Sequence, residues 1–165
     1  MRPRLIAAAA LALAAAGGCR GGGVQDSGAG GHLSVERSAG RTTRVMDEPG
    51  RAEYCPTDSL LTIIAVGPDR GAGLAVKTAL PLKGPSSFAV QPRLGGVGTG
   101  TAAFRLASGT ARVGTSGTIR LQESGSLSGT FDVAVPDTGK RPVRFRGSLE
   151  RIPLRQGIPA SCPRS

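Results

Sequence analysis

The chain has 165 residues, of which 39% are hydrophobic, and a formal net charge of +10. This length fits one domain of ordinary size, and the apolar fraction is too high for a wholly disordered chain. The positive charge has two interpretations. It can form a surface that binds anionic envelope lipid or polymer, or it can reflect GC-rich codons, which favour the abundant Arg, Ala, Gly and Pro.

Residues 1–18 have the pattern of a secretory signal. Arg2 and Arg4 precede an apolar run from Leu5 to Ala16. A positive start, a short apolar stretch and small residues before a cleavage point are typical of export signals. The run is shorter than the roughly 18 apolar residues that a spanning helix needs. We therefore predict that this segment is removed.

The residues Ala16-Gly17-Gly18-Cys19 resemble the lipobox of bacterial lipoproteins, with Ala16 where that family most often has Leu. The resemblance covers residues 1–19 and implies that the Cys19 thiol carries a diacylglyceryl group after cleavage before it. Two or three acyl chains anchor a protein stably. We therefore expect an exported protein held by lipid to a membrane of the bacterial envelope, either at the outer membrane or at the cell surface. Nucleic acid is a poor partner in that compartment.

Glycine is concentrated just after Cys19, in residues 20–31, and glycine-rich segments behave as flexible linkers. This composition predicts three parts. Residues 1–18 form the signal peptide, residues 19–31 form the lipidated cysteine with its tether, and residues 32–165 form a single β domain.

Strand signals begin at Leu33–Glu36 and Thr42–Met46, where apolar and polar residues alternate. Leu60–Val66 is a continuous, β-branched apolar run, which predicts a central strand buried on both faces. Leu74–Leu80 alternates again. Gly or Pro interrupts every helical period after the signal, so helices are not expected.

The alternation is clearest in the last third of the chain, at Thr118–Gln122, Thr130–Val135 and Val143–Leu149. Turn-forming residues separate these segments, which predicts a C-terminal meander. In total we expect roughly eight or nine strands. The fold class is therefore all-β, as a single antiparallel β-sandwich or a small β-barrel, and the sequence does not choose between the two.

Lipidation of Cys19 leaves Cys55 and Cys162 as an even pair in an oxidising compartment, which predicts one disulfide. Two distant cysteines and His32 do not make a metal-ligand set. His32 is the one histidine, and its position at the end of the tether is poor for a catalytic base. Most carboxylates fall in turns or on solvated faces. We therefore predict no catalytic, cofactor-binding or metal-binding residues.

The run Gly95–Gly100 lacks the Gly-Lys-Ser/Thr and the following helix of a phosphate-binding loop, and we interpret it as a mobile hairpin loop. Arg144 and Arg146 alternate with apolar residues and so share one face of a strand. Together with Arg120 they form either an anion-binding strip or a solvated outer face.

These patterns favour a non-enzymatic, lipid-anchored β domain with a binding or structural role in the envelope. The first alternative is a carrier of a small or lipidic ligand in a barrel cavity. An envelope hydrolase is a second alternative, for which the chain has few suitable residues. The sequence does not identify the partner or ligand.

Overall fold

A computed structural model describes residues 30–106, 109–137, 142–156 and 162. Within these ranges the chain forms eleven β-strands and one short 3₁₀ helix at Pro56–Asp58. The strands are β1 (His32–Ser38), β2 (Thr42–Cys55), β3 (Leu60–Val66), β4 (Gly71–Lys77), β5 (Ser86–Val90), β6 (Thr99–Arg105), β7 (Arg112–Val113), β8 (Ser116–Glu123), β9 (Leu127–Val135), β10 (Val143–Ile152) and β11 (Leu154–Gln156).

Nine of these strands close into a barrel, in the order β1-β10-β9-β8-β5-β6-β4-β3-β2. The ring is closed because β1 pairs with β10 on one side and with β2 on the other. β7 and β11 lie outside the ring, paired with β6 and β2. The all-β prediction is confirmed, and of its two architectures the barrel is correct. Closure leaves the nine ring strands without a free edge.

One pair in the ring differs from the antiparallel arrangement that we expected. β5 and β6 run parallel, with Ala89 level with Thr99. The glycine-rich segment before β6 therefore connects parallel strands, and its interpretation as a hairpin loop is wrong. Its turn is fixed by the Gly98 N–H, which donates to the Lys77 carbonyl at 2.8 Å.

The predicted C-terminal meander is confirmed. β8, β9 and β10 are successive neighbours in the ring, and Gly125 turns between the first two with a φ of 68°. Alternation along β9 points Phe131, Val133 and Val135 into the barrel, where they are buried. Side chains fill the interior, as the width of a barrel of about eight strands allows.

The prediction that β3 is buried on both faces is wrong. Leu61, Ile63 and Ala65 are buried in the interior, whereas Val66 is 50% exposed, and the residues between the buried ones are partly exposed. A closed barrel has one interior, so each of its strands has an outer wall that faces water unless another segment covers it.

One end of the barrel, which we call the closed end, is covered by the connection between β4 and β5. That connection carries Leu82 into the core, and the Leu82 N–H donates to Glu123 Oε2 at 2.9 Å. At the same end Cys55 forms a disulfide with Cys162, with a Cα–Cα distance of 5.6 Å. The pair predicted from the cysteine count is therefore present.

The folded part starts slightly earlier than the predicted tether boundary. Gly31 was assigned to the tether, but it is buried and its carbonyl accepts a hydrogen bond of 2.8 Å from the Gly50 N–H. A Cβ at this position would overlap with the backbone of Arg151. Gly31 is therefore a packed residue of the barrel.

Candidate ligand-binding site

A pocket opens at the end of the barrel opposite Leu82, where β6 and β9 end and β10 begins. We call this end the mouth. The pocket has a volume of about 220 Å³. Its apolar part, which we call the floor, consists of five side chains from β9, β10 and the end of β6. They are Phe104, Leu106, Val135, Val143 and Phe145.

Two aromatic rings stack within the floor. Phe104 on β6 and Phe145 on β10 stack with ring centroids 4.5 Å apart and an interplanar angle of 8°. Phe131, deeper in the barrel, lies 5.7 Å from the Phe104 ring. Stacked rings add attraction beyond the area that they bury. Both floor rings point inward near strand ends and are almost fully buried, at 2% and 3% exposed, so Leu106, which is partly buried, is the most accessible apolar side chain of the floor.

Among the described residues, three charged side chains line the pocket, and we call them the rim: Arg37, Arg112 and Asp137. Arg112 Nη1 donates to Asp137 Oδ1 at 2.7 Å. Arg37 Nη2 lies 3.9 Å from Asp137 Oδ2, which is an ion pair at a separation too long for a hydrogen bond. The arginine side chains are 40% and 49% exposed, so water reaches the rim, whereas the floor is buried except for Leu106, which is partly buried.

Further arginines lie at the mouth end of the barrel. Arg41 follows the end of β1, and Arg70 precedes β4 beside Asp69, with Nε and Oδ1 3.5 Å apart. The two rim arginines exceed the single rim carboxylate by one charge, so the rim as described carries a net positive charge. A positive entrance with apolar walls attracts anions and raises their local concentration.

The predicted strip of Arg120, Arg144 and Arg146 lies on the outer wall, away from the pocket lining. Asp132 on β9 stands between two of these arginines: it accepts from Arg144 Nε at 2.9 Å and from Arg146 Nε at 3.0 Å. Arg120 is level with Thr130 on the neighbouring strand. The three residues share a face as expected, but two of them already bind a carboxylate of the same chain.

The other sequence predictions concern catalysis and anchoring. His32 Nδ1 lies 3.7 Å from Asp47 Oδ1, with the histidine side chain 57% exposed. In the part of the chain that the structure describes, no three His, Cys, Asp or Glu side chains are grouped to hold a metal ion. The same part contains no helix with the length and hydropathy to cross a bilayer. Cys19, the predicted lipid site, lies outside the described residues.

Sequence reasoning did not identify the mouth. No sequence pattern singled out Arg37, Arg112 or Asp137. The available signal was weak: Phe104 and Phe145 each occupy an alternating position near a strand end. Their proximity depends on how β6 and β10 are placed around the ring. Comparison with family models, curated protein sequences and solved structures gave no match to this chain.

Proposed function

We propose that this protein is a non-enzymatic binding domain of the bacterial envelope, anchored by lipid on Cys19, that holds one small ligand at the mouth of its barrel. The observation that carries the proposal is the 220 Å³ pocket with an apolar floor and a charged rim. Ligand sites are concave and mostly apolar, with a few polar groups that orient the ligand, and barrel mouths are a preferred location.

This pocket favours a ligand carrier over a purely structural role, but it limits the size and the position of the ligand. Leu61, Leu74, Ile119 and Leu121 are each at most 1% exposed and occupy the middle of the barrel. A long lipid chain has no room among them. The proposal is therefore a site at the mouth, with space for a small molecule or for the end of a larger one.

Hydrolysis is less well supported than binding. Among the described residues that line the pocket, Asp137 is the one carboxylate, and it is paired with Arg112. Glycoside hydrolysis uses two carboxyl groups on opposite sides of the scissile bond. The rim of Arg37, Arg112 and Asp137 instead provides groups that orient a charged ligand.

Native mass spectrometry of the protein purified from its own envelope tests this proposal. We expect a bound molecule that is lost in the Leu106→Trp variant, because the larger ring fills the pocket. Leu154→Trp is the matched control: Leu154 is also half-buried but lies on β11, level with Ala52 near the closed end. A ligand-free spectrum of the unmodified protein, or equal loss of ligand in both variants, contradicts the proposal.

A further inference from the structure

We infer that the mouth selects a small monocarboxylate with an apolar body, an inference that rests on the proposed binding function. The pocket joins two chemical environments within one small volume. The floor supplies Phe104 and Phe145, and the rim supplies two guanidinium groups and one carboxylate. A ligand that satisfies both parts has an apolar portion and a compact charged group at one end.

The volume sets the size of the apolar portion. An apolar cavity of roughly 150 Å³ binds benzene. The mouth pocket, at about 220 Å³, therefore takes a ligand of about ten non-hydrogen atoms. Leu106, which is partly buried above the stacked rings of Phe104 and Phe145, provides the apolar contact for an aromatic or branched body.

The rim sets the charge of the ligand. Among the described residues that line the pocket, Arg37 and Arg112 carry two positive charges and Asp137 carries one negative charge, so a single negative charge on the ligand balances these three groups. A dianion would leave an excess negative charge, and a cation would be repelled by both arginines. The rim therefore favours a monoanion.

Arg37 is the residue that we assign to the ligand. Arg112 donates a hydrogen bond to Asp137 at 2.7 Å. Arg37 also lies beside Asp137, but the 3.9 Å between Nη2 and Oδ2 is too long for a hydrogen bond. A guanidinium offers five N–H donors. Its planar fork matches the two oxygens of a carboxylate, which makes paired, charge-assisted hydrogen bonds.

Titration calorimetry of the full-length protein with two matched probes tests this inference. The probes are 3-phenylpropionate and 3-phenylpropionamide, which have the same shape and differ in charge. We expect the carboxylate to bind about 10- to 100-fold more tightly than the amide, because hydrogen bonds to a charged group contribute more. Arg37→Gln is expected to lower carboxylate affinity to that of the amide and to leave amide affinity unchanged.

Arg120→Gln is the matched control. It removes the same charge from the outer wall, and we expect less than about a twofold change because solvent screens exposed charges at a distance. Since the Arg37 side chain is 40% exposed, Arg37→Gln should fold, and an unchanged unfolding midpoint verifies this.

The outcomes separate the ligand class from the binding function. Equal affinity for carboxylate and amide, or equal weakening by Arg37→Gln and Arg120→Gln, overturns the monocarboxylate assignment and leaves a binding mouth in place. If neither probe binds and the native mass spectrum is also ligand-free, both the assignment and the proposed function are wrong.

Discussion

At the scale of single residues, Gly147 shows how tightly the interior is filled. It lies on β10 at an inward position, level with Phe131 on β9. A Cβ at this position would overlap with the Phe131 ring and with the Ser34 carbonyl oxygen. The missing side chain therefore makes room for a neighbouring ring beneath the floor of the pocket.

We predict that Gly147→Ala lowers the free energy of unfolding by about 1–3 kcal/mol, because adding a methyl group to a filled core forces its neighbours to move. The matched control is Gly73→Ala, since a Cβ there meets nothing within 4 Å. That change is expected to be close to neutral. Urea unfolding of both variants measures the difference, and equal midpoints would show that the interior is not filled as described.

Single residues also show which contacts can be predicted from the sequence and which cannot. The pairing of Cys55 with Cys162 followed from a count of cysteines, because two cysteines that remain in an oxidising compartment can form a disulfide only with each other. Arg37 and Asp137 could not be matched in the same way, because charged residues are numerous and their pairing depends on position in space.

At the scale of elements, the C-terminal strand β11 is short and lies outside the ring of nine strands. It contributes three residues, Leu154–Gln156, and pairs in parallel with β2 at Ala52–Tyr54. The disulfide connects Cys162, beyond this strand, to the end of β2. The covalent bond and the short pairing therefore attach the C-terminal segment to the same strand.

Replacing both Cys55 and Cys162 by Ala is expected to lower the free energy of unfolding by about 2–4 kcal/mol, because the disulfide closes a long loop and restricts the unfolded chain. The two cysteines are 107 residues apart. Denaturant unfolding with and without reductant provides the comparison. Reductant should destabilise the unmodified protein and leave the double variant unchanged; equal stability of the two proteins without reductant refutes the prediction.

Elements with strict alternation were predicted well, and those whose partners lie far away in sequence were not. β8, β9 and β10 pair through short turns, so hydrophobic period and turn residues determine their arrangement. The parallel pairing of β5 with β6 required knowledge of which strands flank them, because the two strands pair over two residues each, Ala89 with Thr99 and Val90 with Gly100. The prediction that β3 is buried on both faces was wrong for a different reason: its apolar run is continuous, but closure of the barrel gives each ring strand an outer wall.

At the scale of the whole molecule, the proposed anchor precedes the barrel in the sequence. The proposed lipid site is Cys19, and the first barrel strand begins at His32. Loss of the lipid should therefore change location without changing the fold.

We predict that Cys19→Ser abolishes acylation and moves the protein from the membrane fraction to the soluble fraction, with an unchanged unfolding midpoint. Mass measurement of the N-terminal peptide checks for acyl groups, and fractionation of envelopes checks location. A Cys19→Ser protein that stays with the membrane would show that something other than this lipid holds it there.

The sequence by itself determined the all-β class, the C-terminal meander and the cysteine pair. Each of these depends on local alternation, on turn chemistry or on a count, all of which are written along the chain. The tertiary structure decided closure into a barrel and the existence of the mouth. Closure brings β1 beside β10, and with it Arg37 beside Asp137 and Phe145, across a large part of the sequence. No local pattern encodes such contacts, because they arise from the ring order of the strands.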